Sequence, residues 1–251
     1  MRRIGDAEDF RAAFSVSRET CARLATYEGL LRQWQRAVNL VGPSTLNAIW
    51  HRHFADSAQL LALVPSPRSW VDLGSGPGFP GLVVAILLAE PSRHSADPSA
   101  PSRLLGEGGD DALHLPAQRS EPARITLIES NARKCAFLRE VVRQTGLASS
   151  VSVDILSTRI ETAATQGSLP APDVVSARAV APLDKLLALA APLFASSTVG
   201  LFLKGRDAAA ELEAAEKLWN FRSELVPSRT ERDARIIVIR NLERKNEGLT
   251  S

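Results

Sequence analysis

One glycine-rich stretch, "VDLGSGPGFPG" at residues 71–81, has residue types and spacing that could do chemistry. An apolar run ends in Asp72, which can orient the loop after it. Gly74 and Gly76 then permit tight turns and a close approach of backbone to a ligand. A dinucleotide fingerprint needs a third glycine at position 79, where this chain has Phe79 followed by Pro80. A pyrophosphate seat wants free N–H groups at a helix N-terminus; Pro80 has none, and the Phe79 ring is expected to crowd the approach. No Gly-Lys-Ser/Thr comes after the loop, so a P-loop is excluded. The loop suits a flat, partly apolar ligand without phosphates, and S-adenosylmethionine fits that description.

Other residues fall into place around such a ligand. Glu129 ends "RITLIE", and in this class of fold an acid about twenty residues past the glycines bonds ribose hydroxyls. That spacing holds once residues 91–123 are set aside as an insertion. The plainer reading of Glu129 is an N-cap for a helix beginning at Asn131. In "STRIE" (157–161), Ile160 can pack on an adenine and groups of Ile160-Glu161 can meet its amine, although Ile160 reads equally as helix core. Arg178 closes "VVSAR" at a strand's carboxyl end, where open α/β sheets bind ligands. Lys204 comes after "LFL" at another such end, to hold an RNA phosphate or a neighbouring acid. His53, near Asp56, lies on an apolar helix face, as a core or a site-shaping residue. Arg133 and Lys134 oppose the dipole at a helix start, which hints at a ligand. Arg32, Arg36 and Arg52 alternate with an apolar face, solvated or turned to an RNA backbone.

Methyl transfer from a sulfonium is an in-line displacement, and different acceptors need different helpers. An exocyclic amine wants a "[DN]PP[YF]" arrangement, but the matching position reads "SARAVAPL" (176–183). A pyrimidine C5 needs a nucleophilic cysteine. Cys135 sits on a helix after Arg133-Lys134, and Cys21 is in the N-terminal helices. A hydroxyl or catechol wants a base or a metal cluster, and no metal site is expected here. What remains is an acceptor with a ready lone pair, of which guanine N7 is one. Its product gains positive charge, so positioning contacts matter more than proton transfer. Arg178 and Lys204 without an evident base suit that chemistry.

These residues need a scaffold, and the chain of 251 residues is long enough to build one. Hydrophobic residues make up 45% and charged residues 23%, as in a soluble globular protein. A net charge of +2 permits a nucleic-acid partner without arguing for one. The longest apolar run, near 81–89, is too short to span a bilayer. Acids enter "MRRIGDAEDF" where a secretory leader needs an apolar core, and two cysteines without CxxC spacing fit a reducing compartment. A cytoplasmic monomer is expected. Apolar residues Leu24, Tyr27, Leu31, Trp34 and Val38 predict a helix up to Gly42-Pro43. A second helix capped by Ser44 is predicted to run to Pro65. From Trp70, strands alternate with helices until a closing pair, "FRSELVP" and "ARIIVIRN", joined without a helix. The prediction is an α/β fold with a mostly parallel, Rossmann-like methyltransferase sheet and an antiparallel edge hairpin. Expected boundaries are a helical arm over 1–67, the catalytic domain over 68–242 with a disordered insertion at 91–123, and a tail over 243–251.

Five segments in order resemble the RsmG (GidB) family of bacterial 16S ribosomal RNA guanine-N7 methyltransferases. They are "HFADS" (53–57), "DLGSGPGFPGLVVAI" (72–86), "IESNARKCAFLREV" (128–141), "SARAVAPL" (176–183) and "LFLKG" (201–205). The resemblance implies S-adenosylmethionine as donor and a guanine in the 530 loop of small-subunit rRNA as acceptor, as naked 16S rRNA or in the subunit. It also implies cofactor contacts at Gly74, Phe79, Glu129, Ser130, Ile160, Glu161 and Arg178, with Arg178, Lys204 and His53 as candidate catalytic residues. The alternatives are a NAD-dependent oxidoreductase and a non-catalytic nucleotide-binding regulator.

Overall fold

The computed structural model describes residues 2–64, 66–90, 122–165 and 169–245. Two helices, α1 (Ala7–Phe14) and α2 (Arg18–Trp34), open the chain, and α3 (Asp56–Ala58) lies within a composite helical segment. Then come β1 (Ser69–Leu73), α4 (Gly81–Leu88), β2 (Arg124–Ile128), α5 (Ala132–Gln144), β3 (Ser152–Leu156) and α6 (Ile160–Thr165). The second half holds β4 (Val174–Arg178), α7 (Leu183–Ala190), β5 (Val199–Lys204), α8 (Ala208–Glu216), β6 (Trp219–Pro227) and β7 (Arg235–Arg244). The strands form one sheet in the order β3-β2-β1-β4-β5-β7-β6. Strands β1 to β5 are parallel; β7 inserts antiparallel between β5 and β6. The closing pair is therefore the antiparallel hairpin expected, and the sheet is that of a Rossmann-like methyltransferase.

Strand periodicity of two explains the layers. Ile125, Leu127, Leu201, Leu203, Ile236 and Val238 point to one core, while Ile128, Phe202, Ile237 and Ile239 point to another. The second core is closed by α6, α7 and α8 through residues such as Ala163, Leu186 and Ala215. The first is closed by α4, α5 and the N-terminal helices, which contribute Phe10, Phe14, Leu24, Tyr27 and Leu31. Polar ties reinforce that union: Ser17 N–H donates to Glu90 at 2.6 Å, and the Arg23 guanidinium to the Ala89 carbonyl at 3.1 Å. The helical arm thus shares a core with the sheet.

Three local expectations change. The first long helix ends at Trp34 and does not reach Gly42. The Gln35 side chain bonds the backbone instead, accepting from Leu40 and Val41 N–H at 3.0 Å each and donating to the Val41 carbonyl at 2.9 Å. The second predicted helix is composite: a 3-10 turn (Pro43–Ala48), a π-helical turn (Trp50–Ala55), α3 and a 3-10 turn (Gln59–Ala62), and Ser44 makes no cap bond. The widened π turn is stabilised by side chains that meet its carbonyls: Ser57 Oγ donates to His53 O at 2.7 Å, and Arg178 to Arg52 O at 3.2 Å. Finally, β7 runs to Arg244, opposite Trp219, so residues 243 and 244 are strand and not tail. The expectation of disorder falls on residues 91–121, outside the described residues. Pro122 and Ala123 are described, and the Ala123 carbonyl accepts from Ser152 N–H at 2.9 Å.

Gly81, at the start of α4, lets the helix close onto the sheet. A Cβ there would lie 2.3 Å from Leu127 Cδ2 and 2.9 Å from Asp72. Gly81→Ala should cost about 1–3 kcal/mol through overpacking. Chemical denaturation should show a lower midpoint at unchanged slope; an unchanged midpoint would mean that the helix and strand are not so closely held.

Candidate active site

Strand order reverses between β1 and β4, and the carboxyl edge at such a reversal is where open α/β sheets bind ligands. Gly74 leaves β1 with φ of 62°. On the other side, Ala179 comes after Arg178 with φ of 55°, a left-handed value uncommon for alanine, and turns the chain back toward the loop. A Cβ on Gly74 would sit 2.9 Å from Val180 Cγ2 and 3.7 Å from Ile160 Cδ1. Bare backbone is thus needed at Gly74, and Ile160 is brought to the loop as its position after β3 led one to expect.

The loop uses its own amides internally. Ser75 N–H donates to Ile128 O at 2.9 Å, and those of Gly78 and Phe79 to Ser75 O at 2.7 and 3.2 Å. Leu82 N–H donates to Gly78 O at 2.8 Å, and Gly81 N–H to Asp72 Oδ2 at 3.2 Å. A diphosphate needs such donors free, so the loop is closed to it for reasons beyond Pro80. Asp72 is fully buried and also accepts from Ser176 Oγ at 2.7 Å. Burial pushes its carboxyl up to about 6, partly offset by the bonds from Ser176, Ser75 and Gly81.

Glu129 fits neither simple picture of a cap nor of a free acid. Asn131 caps α5, accepting from Arg133 and Lys134 N–H at 3.0 and 3.2 Å. Glu129 instead accepts from Gly76 N–H at 2.9 Å and Asn131 N–H at 2.7 Å, fixing the glycine loop against the end of β2. Each carboxylate oxygen keeps a second lone pair for a ligand hydroxyl. Ser130 and Glu161 are exposed nearby, after β2 and at the start of α6.

Phe79 does not crowd the loop mouth. Its ring is buried, with centroids 4.8 Å from His53 at an interplanar angle of 9° and 5.4 Å from Tyr27 at 24°. The reason is aromatic packing against α2 and the π turn, worth more than exposure to solvent. The Tyr27 hydroxyl also donates to the Pro77 carbonyl. Arg178 lies over the same ring, its Cζ 4.9 Å from the centroid.

Arg178 is the hub. Its side chain is only 18% exposed, and burial pushes the guanidinium below its ordinary pKa while Asp56 opposes the shift. Nη1 donates to Arg52 O at 3.2 Å and Asp56 Oδ2 at 3.4 Å; Nη2 donates to His53 Nδ1 at 2.9 Å. That leaves Nε–H and one Nη2–H for a ligand. Asp56 Oδ1 accepts from Gln59 Nε2 at 2.9 Å and Thr230 Oγ1 at 2.6 Å, so it also docks the β6–β7 loop. His53 is driven down to about 3, first by burial and then by Arg178 and Arg52, so it is neutral and its Nδ1 lone pair is occupied.

Beside this hub lies a cleft of about 480 Å³ over the ends of β4 and β5. Arg52, Asp56, Arg178, Lys204, Glu211, Glu231 and Arg235 supply its charged lining. Each acid is matched: Asp56 to Arg178, Glu211 to Lys204 at 2.7 Å, and Glu231 to Arg52. Of the two partners foreseen for Lys204, the neighbouring acid is in place. Its ammonium also donates to the Ala181 carbonyl at 2.5 Å, bracing the turn after β4. The structure brings Gly74 to Ile160, Glu129 to the loop, and His53 and Phe79 to Arg178, with Lys204 across the cleft. Sequence reasoning did not single out Thr45, Ser176, Gly81 or Thr230. Gly81 alone carried a visible signal, as the last glycine of the loop.

A profile of the rRNA small subunit methyltransferase G (GidB) family matches residues 20–94 and 115–237. Relatives named ribosomal RNA small subunit methyltransferase G include that of Parvibaculum lavamentivorans, 45% identical over 241 residues, covering 95% of this chain and 91% of the relative. That of Rhodospirillum centenum is 47% identical over 226 residues, covering 90% and 86%. Among solved structures, an O-methyltransferase from Bacillus cereus in complex with SAH aligns with a TM-score of 0.50 at 15% identity, over 92% of this chain and all of that one. A methyltransferase from Geobacter sulfurreducens also scores 0.50, at 13% identity over 87% and 88%. Likeness at that identity speaks for the fold alone.

Charge linkage gives His53 a measurable signature. Unfolded, it titrates near 6.5, and folded near 3, so between those values the unfolded chain holds the extra proton. Its contribution to stability is full above 6.5 and is lost as pH falls toward 3. Asp72 runs the other way, full below 3.8 and lost as pH rises through 6, and masks the effect in wild type. The stability difference between wild type and His53→Gln should therefore rise with pH from 4 to 6.5, by at most about 1.4 kcal/mol per pH unit. Urea titrations across that range measure it; a difference flat in pH would show that His53 is not held neutral.

The matches in sequence, over most of both chains, and the sheet with its inserted seventh strand lead to one assignment: the chain belongs to the rRNA small subunit methyltransferase G family.

Proposed function

We propose that the protein transfers a methyl group from S-adenosylmethionine to N7 of a guanine in the 530 loop of 16S ribosomal RNA, acting in the cytoplasm as a monomer. Family membership supports the reaction class and the rRNA substrate. The observation that carries the choice of N7 is the cleft itself, where every lining acid is matched to a cation and the His53 lone pair is taken. Among the described residues, an acceptor that must lose a proton would meet only acids already engaged by a cation, whereas guanine N7 has no proton to lose.

The cofactor's place in this reading is the crevice after β1, β2 and β3. Gly74 offers bare backbone, the second lone pairs of Glu129 meet ribose hydroxyls, and Ile160 packs on the adenine with Ser130 and Glu161 at its rim. Phe79 contributes through its backbone and by seating Arg178. Bound there, S-adenosylmethionine supplies an electrophilic methyl group on a sulfonium. Arg178 stands between the two halves of the site, with Nε–H and one Nη2–H left to donate to an anionic group of donor or RNA. Lys204 and Glu211 brace the turn after β4 through the Ala181 carbonyl and Leu183 N–H. Exclusion of water and alignment then supply the rate.

The test uses small subunits and naked 16S rRNA from cells lacking the enzyme, with labelled S-adenosylmethionine. Label should enter one guanine of the 530 loop, and mapping by reverse transcription after N7-specific strand cleavage should find it there. Label at another atom or loop would refute the assignment, and binding without transfer would favour the regulator. Arg178→Ala should lower turnover about 100-fold while circular dichroism stays native; wild-type turnover would remove Arg178 from the site.

A further inference from the structure

We propose that Thr45 is a positioning residue for methyl transfer: its hydroxyl accepts from His53 Nε2–H and so anchors the ring whose Nδ1 accepts from Arg178. The inference rests on the methyltransferase reading above and adds to the site a residue outside the crevice. Thr45 lies on the 3-10 turn Pro43–Ala48, where Thr45 Oγ1 donates to the Gly42 carbonyl at 2.9 Å. A hydroxyl has one proton, and this one is already committed. Only its lone pairs are left to face His53 Nε2, which lies 2.9 Å away. Nε2 must therefore carry the imidazole proton.

The other end of the ring requires the same placement. The ring is buried beside two guanidinium groups and carries a single proton. With that proton on Nε2, Nδ1 is a bare acceptor, and Arg178 Nη2 donates to it at 2.9 Å. Gly42, Thr45, His53 and Arg178 form a line of bonds in which each proton has one possible place. The opposite tautomer would set N–H against N–H at Arg178 and leave Nε2 without a donor to accept from. Arg52 O and Asp56 hold only Nη1, so His53 fixes the second arm of the guanidinium and hence its plane over Phe79. Thr45 sets that plane through the imidazole, without touching substrate.

The experiment uses the full chain with nitrogen-15 histidine. Long-range proton–nitrogen correlation should show His53 in the wild type as a single Nε2–H tautomer. Thr45→Val, which keeps the shape and removes the hydroxyl, should leave the Nε2–H without its acceptor, so that its proton resonance moves upfield and exchanges faster with water. It should also lower kcat on small subunits about tenfold, with KM for S-adenosylmethionine little changed. Thr45→Ser should restore both the Nε2–H resonance and the turnover. An unchanged Nε2–H resonance in Thr45→Val, or turnover within about twofold of wild type, would overturn the proposal. Inactive wild-type protein would instead overturn the methyltransferase reading, while the Nε2–H resonance would still judge Thr45.

Discussion

A guanidinium held largely out of water at the end of β4 must be answered on all sides, and the answers organise this molecule. Arg178 receives one carboxylate, one backbone carbonyl and one imidazole nitrogen, all from the segment between Arg52 and Asp56. That segment belongs to the N-terminal helices and not to the sheet. The helical arm is therefore part of the site, and the core it shares with the sheet through Tyr27, Phe54 and Phe79 holds the two in register. The π turn has its explanation here, because it widens the helix where Arg178 takes the carbonyl of Arg52.

A similar constraint governs the glycine loop. Its amides close on Ser75, Ile128, Glu129 and Asp72, so the loop is rigid before any ligand arrives and has few donors to give a phosphate. A nucleoside held by ribose hydroxyls and by apolar contact suits it better than a nucleotide held by its charge. The consequence shows at Asp72: a carboxyl buried under the loop and anchored by Ser176 and the first turn of α4, which burial raises to about 6 against the opposing effect of those bonds.

The cleft beside Arg178 has its acids paired. Among the described residues that line it, Lys204 meets Glu211, Arg52 meets Glu231 and Arg178 meets Asp56. In the proposed reaction, catalysis there comes from alignment and a fixed field. On that reading a nucleophile that brings its own lone pair asks no proton acceptor of the cleft.

Sequence by itself determined the order of strands and helices, the closing hairpin, the glycine loop, the positions of Glu129, Arg178 and Lys204 at strand ends, and that of Ile160 after the third strand. These are local or periodic signals, because a strand's two faces and a loop's glycines are written in neighbouring residues. It did not determine which way Phe79 turns, where the first helix stops, or that residues 50–55 widen into a π turn. Those outcomes depend on partners far along the chain: Tyr27 and His53 for Phe79, and Arg178 for the turn. Nor could it assign Lys204 to Glu211, or join Thr45 to Arg178 through His53. Spacing records only what lies nearby along the chain, whereas a buried charge chooses its partners by distance in the folded protein.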